Sequence, residues 1–311
     1  MRAATAIPSI QVPRRRSVFH RVAESRFFAV STVVVAIIVI WYAGAILLDA
    51  PFQRDLDQRR GATVSTMTFL AETLNQKKPT LPSPHQVAVE TYKSTVLANP
   101  TKPSSLLFHA WVTLHSTLVG FVSGTLFGIL LAVGIVHVKS LDKSLMPWII
   151  SSQTIPILAI APMVIVVLAA VGITGLIPKA LISTYLSFFP VTVGMVKGLR
   201  SPAPINLDLM RTYHASRWQV LWKLRLPASL PFLFTSMKVA VAAALVGAIV
   251  AELPTGAVAG IGAKLLVGSY YSQSVQMWAA LVVGSLLAAL LVVAVGITER
   301  LVMRRMGARA A

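Results

Sequence analysis

A chain of 311 residues that is 56% apolar and only 12% charged is too hydrophobic for a soluble domain and reads as an integral membrane protein. It contains no cysteine, which excludes a disulfide framework and a thiolate metal site. Its net charge of +18 does not imply nucleic acid as a partner, because the basic residues lie between apolar runs rather than gathered with aromatic or helical readers on one folded surface.

In chain order, residues 1–26 form a basic arm with Arg2, Arg14, Arg15, Arg16, Arg21 and Arg26. The apolar run from Phe27 to Leu48 predicts a first transmembrane helix. "AGA" at Ala43–Ala45 offers small residues for cleavage, but the run is longer than a signal h-region and continues past that point, so the reading is a retained span. Residues 49–110 nearly balance basic and acidic side chains and contain "TLPSPHQV" and "LANPTKPSS". They predict an outer segment with one or two short surface helices. Five further runs approach the roughly 20 residues needed to cross about 30 Å of hydrocarbon: Thr113–Val138, Leu145–Val171, Lys179–Val196, Pro231–Ala251 and Met277–Ile297. The expected fold is all-α with about six spans, a core domain over 111–300 and a basic tail over 301–311. Lys and Arg crowd the N-terminal arm, the Lys139–Lys143 and Lys197–Arg225 connections and the tail from Arg300, which predicts both termini in the cytoplasm.

The second run carries Gly120, Gly124 and Gly128 at the spacing of close helix contact. The third contains Pro147, Pro156 and Pro162. Proline removes a backbone hydrogen bond, and such breaks persist in a membrane only where protein or a watery cavity satisfies the freed carbonyls. Ser151, Ser152, Gln153 and Thr154 are therefore candidates for a translocation path, with helix packing through small hydroxyl residues as the alternative. Lys238 is expected to snorkel toward the cytoplasm and Glu252 to reach the outer interface.

The stretch "LMRTYHASRWQVLWKLRLPASLP", Leu209–Pro231, is basic yet lies between apolar runs. Ser216 and Gln219 have the form of a capping box, predicting a helix from Arg217 with Trp218, Leu221 and Trp222 on one face and Pro227 at its end. Asn206 is expected to cap a preceding helix over Leu207–Tyr213, with Asp208 near its N-terminus. An interfacial anchor is one reading of this double helix.

These residues resemble something more specific. The order of Asp208, then "RTYHASRWQVLWKLRLP", then a span is similar to the EAA loop of permease subunits of ATP-driven, binding-protein-dependent (ABC) importers. The likeness is strongest to the branch for nitrate, sulfonate, taurine and bicarbonate, which also includes permeases for pyrimidine and flavin precursors. "TLVGFVSGTLFGILLAVGI", "QTIPILAIAPMVIV", "FFPVTVGMVKGLR" and "MKVAVAAALVGAIVAEL" resemble that branch's segments in its order, over about Leu81–Arg300.

The resemblance implies a type I importer permease fold, with a coupling loop over 206–227 that docks on a separate ATPase. Asp208 takes the place of the motif's Glu, Leu209 and Met210 its alanines, His214 its glycine, Ala215 and Ser216 the next pair, and Leu226 and Pro227 the final Leu-Pro. His214 stands where a turn is needed, and His is among the residues enriched at positive φ. Tyr213, Ala215, Trp218 and Trp222 would form the packed surface, with Arg211 and Arg217 as its rim. The implied partners are two cytoplasmic ATPase subunits, a periplasmic solute-binding protein, a second permease copy and membrane lipid, at the bacterial inner membrane.

No catalytic residue, cofactor or metal is expected, and the chain lacks the G-x-x-x-x-G-K-[ST] loop of an ATPase. "TGAVAGIGAKLLVG", Thr255–Gly268, is glycine-rich but lacks the hydroxyl after Lys264, and it reads as a flexible outer loop. His109 and His115 are six apart and do not share a helical face as metal ligands would. The alternative function is an ion-gradient-driven secondary transporter, which would show internal repeats and midplane charge.

Overall fold

The computed structural model describes residues 26–61, 64–254 and 258–307; the basic arm before Arg26, positions 62–63 and 255–257 and the tail from 308 lie outside them. Among the described residues every regular element is a helix, and the chain divides between Pro84 and His85 into two compact units.

In the first unit, α1 (Arg26–Arg60) does not stop at the expected Leu48. Its extension is stabilised by polar side chains that are bonded and buried. Gln53 Nε2 donates to Asp57 Oδ1 at 3.1 Å and to Glu72 Oε2 at 2.8 Å, Glu72 lying on α2 (Thr66–Leu74), and Asp49 Oδ1 accepts the Thr80 N–H at 2.6 Å. The apolar residues from Val33 to Ile40 are mostly exposed along the helix, as suits a surface facing hydrocarbon.

After α3 (Pro84–Tyr92), the second unit contains α4 (Leu106–His137), α5 (Lys139–Ser152), α6 (Ile157–Ala170), α7 (Leu176–Leu199), α8 (Pro204–Thr212), α9 (Arg217–Val220), α10 (Leu226–Glu252), α11 (Ile261–Tyr270) and α12 (Ser274–Arg305). The centre is α7, along which both α4 and α10 pack. Val191, Met195 and Leu199 of α7 meet Ala132 and Ile135 of α4 and Ala240, Val241 and Ala244 of α10 in one buried cluster. The glycine spacing on α4 has the packing role the sequence suggests. A Cβ on Gly120 or Gly124 would collide with Ser183 or Ser187 of α7, and one on Gly128 would stand 2.8 Å from the Phe188 carbonyl.

The third expected span is broken. Helices α5 and α6 meet at 99°; among the described residues five helical stretches are long and apolar enough to cross a membrane, and the bent pair makes a sixth when taken as one span. Only Pro156 sits at the break, as the N-cap of α6; Pro147 and Pro162 lie inside continuous helix. Two contacts show that the pair runs from one end of the bundle to the other. Asp142, near the start of α5, pairs at 2.9 Å with Arg200, which follows the end of α7. The start of α7, a few residues beyond α6, lies at the opposite end, where Lys179 approaches Glu252 at the end of α10. The pair therefore traverses the bundle despite its bend.

Candidate functional site

The loop between α7 and α10 is built from local signals. Pro204 is the first residue of α8 and Ala203 its N-cap, so the helix begins before the expected Asn206 cap. Proline's fixed φ and missing N–H suit that first position. Asp208 is thus beyond the first turn, where it pairs with Arg211 at 3.0 Å on the exposed surface. The chain reverses at His214, whose φ of 48° is the left-handed geometry that the resemblance implied for this position. The His214 and Ala215 N–H groups donate to the Arg211 and Met210 carbonyls at 2.9 and 3.0 Å. Ser216 then starts α9 with the expected capping box: its N–H donates to Gln219 Oε1 at 2.8 Å, and its Oγ accepts the Gln219 N–H at 3.3 Å.

Two expectations fail here. Leu221 does not share a face with the tryptophans: it is 3% exposed and packs in the core, whereas Trp218 and Trp222 are 67% and 64% exposed. Nor does Pro227 end a helix. A π turn over Leu221–Arg225 leads directly into α10, with Leu226 and Pro227 in its first turn and the Leu226 N–H bonded to the Leu221 carbonyl. The wider turn accommodates a residue that lacks the donor and would clash with a tighter one. Leu209 and Tyr213 are exposed, as are Ser216 and Arg217, while Met210 and Ala215 are half-buried.

At the α5–α6 break the hydroxyls bond to their own turn, Ser152 Oγ to the Ile149 carbonyl and Thr154 Oγ1 to that of Ser151, both at 2.7 Å. The Ser152 carbonyl accepts the Tyr185 hydroxyl from α7, while Ser151, Gln153 and Thr154 are exposed. The freed backbone is thus partly satisfied by protein, and Gln153 remains at the surface.

The structure adds a cluster that the sequence reading did not assemble. Glu252 does not reach an interface; its side chain is completely buried. The Thr113 hydroxyl lies 2.9–3.0 Å from both carboxylate oxygens, the Gly262 N–H donates to Oε2 at 2.9 Å, and Lys179 Nζ stands 3.7 Å from Oε1. Thr113 also accepts the Ile261 N–H at 2.9 Å. Gly260 donates its N–H to His109 Nδ1 at 3.0 Å, so the other ring nitrogen carries the proton toward the Pro103 carbonyl at 2.9 Å. Gly260 has φ of 130°, and a Cβ there would meet the Glu252 carboxyl group. From Ile261 onward the glycine-rich segment is a docked helix rather than a flexible loop, with Ile261, Gly262 and Ala263 buried; its Thr255–Ala257 lie outside the described residues. The available signal was one carboxylate at the end of an apolar run, followed by two glycines that let backbone approach it. Beside this cluster a cavity of about 490 Å³ is lined by Thr174, Lys179, Ala251 and Val258.

Lys238 likewise has a partner: it pairs with Glu299 of α12 rather than reaching for solvent alone. No group of three or more metal-ligating residues occurs among the described residues.

Residues 124–308 match the family described as the binding-protein-dependent transport system inner membrane component. A probable ABC transporter permease protein of Haemophilus influenzae is 32% identical over 65% of this chain and 77% of its own length. The riboflavin transport system permease protein RibX of Chloroflexus aurantiacus is 31% identical, over 72% of this chain and 80% of its own. The formylaminopyrimidine transport permease protein ThiX of Halalkalibacterium halodurans is 31% identical over 58% and 68%. The six traverses, the broken third span and the capped double helix before α10 are features of one chain that belongs to the family of inner-membrane components of binding-protein-dependent transport systems.

Proposed function

We propose that this chain is the permease subunit of an ATP-driven importer, which passes a small solute from a periplasmic binding protein across the inner membrane while separate ATPase subunits hydrolyse ATP. The observation that carries this reading is the loop over 204–227: a turn fixed by hydrogen bonds at His214 and a reciprocal cap at Ser216 hold Tyr213, Trp218 and Trp222 outward with no covering element among the described residues. Large exposed aromatics on a rigid support suit a protein partner. Two copies of the chain would frame the path, and the break, with half-buried Ser152 and exposed Gln153 and Thr154, would face it. Reconstitution with the ATPase and binding protein tests the assignment. Uptake into liposomes should require ATP and persist when ionophores collapse ion gradients; uptake that follows a gradient and ignores ATP would make the chain a secondary transporter.

The excess of Lys and Arg supports a cytoplasmic position for both termini and this loop. In this cysteine-free chain, single cysteines in place of Lys78 and Val258 should react with an impermeant thiol reagent in intact cells, and those in place of Tyr213 and Met306 only after permeabilisation. The reverse pattern would invert the topology.

A further inference from the structure

The loop helices border a groove of about 380 Å³, separate from the exposed tryptophans, that converges four cationic side chains: Lys139, Arg211, Arg217 and Arg225. Its walls include Val136, Leu207 and Val220, with Ala215 between them. Among the described residues, Lys139, Arg217 and Arg225 form no ion pair. The acidic residues of this region are already engaged, Asp142 by Arg200 and Asp208 by Arg211. The convergence is held by backbone, because Ala215 is fixed by its bond to the Met210 carbonyl and Arg217 follows the capping box. Like charges gathered on a rigid support repel one another unless an anion lies among them.

The place of the groove in the chain identifies that anion. Val136 and Lys139 flank the end of α4, an apolar helix of 32 residues, and Arg225 directly precedes α10. Two sides of the groove therefore lie where apolar spans give way to charge. A basic recess between spans at the cytoplasmic face suits an anionic headgroup, and guanidinium groups match phosphate oxygens in a planar fork. We propose that the groove holds the phosphate headgroup of an anionic phospholipid of the inner leaflet, with Val136, Leu207 and Val220 receiving its glycerol and first methylenes. The inference rests on the cytoplasmic orientation given above and is independent of the solute carried. Ala215, Arg211 and Arg217, expected with the tryptophans on the ATPase-docking surface, line this groove while Trp218 and Trp222 lie outside it, so an acidic segment of the ATPase is the less favoured occupant.

Native mass spectrometry of the purified full chain, titrated in mixed micelles with phosphatidylglycerol or phosphatidylcholine, tests this. The chain should retain phosphatidylglycerol selectively, and the double variant Arg217→Gln with Arg225→Gln should weaken that retention about tenfold or more while phosphatidylcholine is unaffected. If the double variant loses its thermal unfolding transition, Ala215→Glu carries the same test: its carboxylate would sit among the groove's own arginines and displace the lipid. Unchanged phosphatidylglycerol retention in a folded variant overturns the proposal. So does binding of inorganic phosphate to the delipidated chain with the same dependence on Arg217 and Arg225, which would make this a free-anion site. Loss of ATPase association at unchanged lipid retention would assign the groove to the ATPase instead. Inverted labelling of Tyr213 and Met306 would remove the topological premise, whereas lipid loss with normal labelling supports the site even if transport proves gradient-driven.

Discussion

Trp218→Ala combined with Trp222→Ala is expected to leave insertion and folding intact and to abolish recovery of the ATPase with the tagged chain. Both side chains are largely exposed, so their removal takes nothing from the core; Leu221, their neighbour in sequence, carries the packing instead. Aromatic anchors at a compact interface commonly cost about 2 kcal/mol or more each when truncated. Two such losses correspond to roughly a thousandfold weaker association if they add. Substrate uptake should fall with it, because a permease detached from its motor has no source of work. Retained ATPase recovery and uptake in a folded double variant would reduce the loop to an interfacial anchor, the alternative that its tryptophans also suit.

The second large effect is expected at the opposite end of the bundle. Glu252→Ala should destabilise the fold by about 3–5 kcal/mol, the range for removing one partner of a buried ionic cluster. The loss would leave the Gly262 N–H, the Thr113 hydroxyl and Lys179 without their shared acceptor, and would open space where Gly260 now touches the carboxylate. Glu252→Gln keeps the shape and one acceptor oxygen, so it should cost less than the alanine. Lys179→Met keeps the Thr113 and Gly262 hydrogen bonds but leaves the buried carboxylate without its countercharge, so it should cost more than Glu252→Gln. Denaturant unfolding in detergent measures the series. A loss below about 1 kcal/mol for Glu252→Ala would mean that the neutral donors find other partners.

Much of this architecture is carried by short-range chemistry and can be read along the chain. The hydropathy that drives six segments from water, the glycine spacing along α4, the capping box at Ser216 and the left-handed turn at His214 each depend on residues within a few positions of one another. Their free energies are set before the rest of the fold exists. The start of α8 shows the limit of such local reading, because Pro204 and Asn206 both suit a helix start and the chain uses the proline.

Other features depend on partners that no window contains. Thr113 and Glu252 are 139 positions apart, and only the packing of α4, α7 and α10 makes that carboxylate a buried acceptor instead of an interfacial charge. From Ile261 the glycine-rich segment becomes helix α11 for the same reason, since Glu252 and Thr113 supply acceptors to the N–H groups at its start. Pro227 fails to stop its helix because a π turn ahead of it relieves the clash while Leu221 is buried in the core. Likewise, three prolines announced a break in the third span, but only the Asp142–Arg200 and Lys179–Glu252 contacts show that it still crosses from one end of the bundle to the other. The sequence by itself determined which segments leave water and where local turns form, since solvation and short-range hydrogen bonds act residue by residue. Which charges are buried, and against what, was decided by tertiary packing, because the cost of burying a charge is met only by groups that folding brings from elsewhere in the chain.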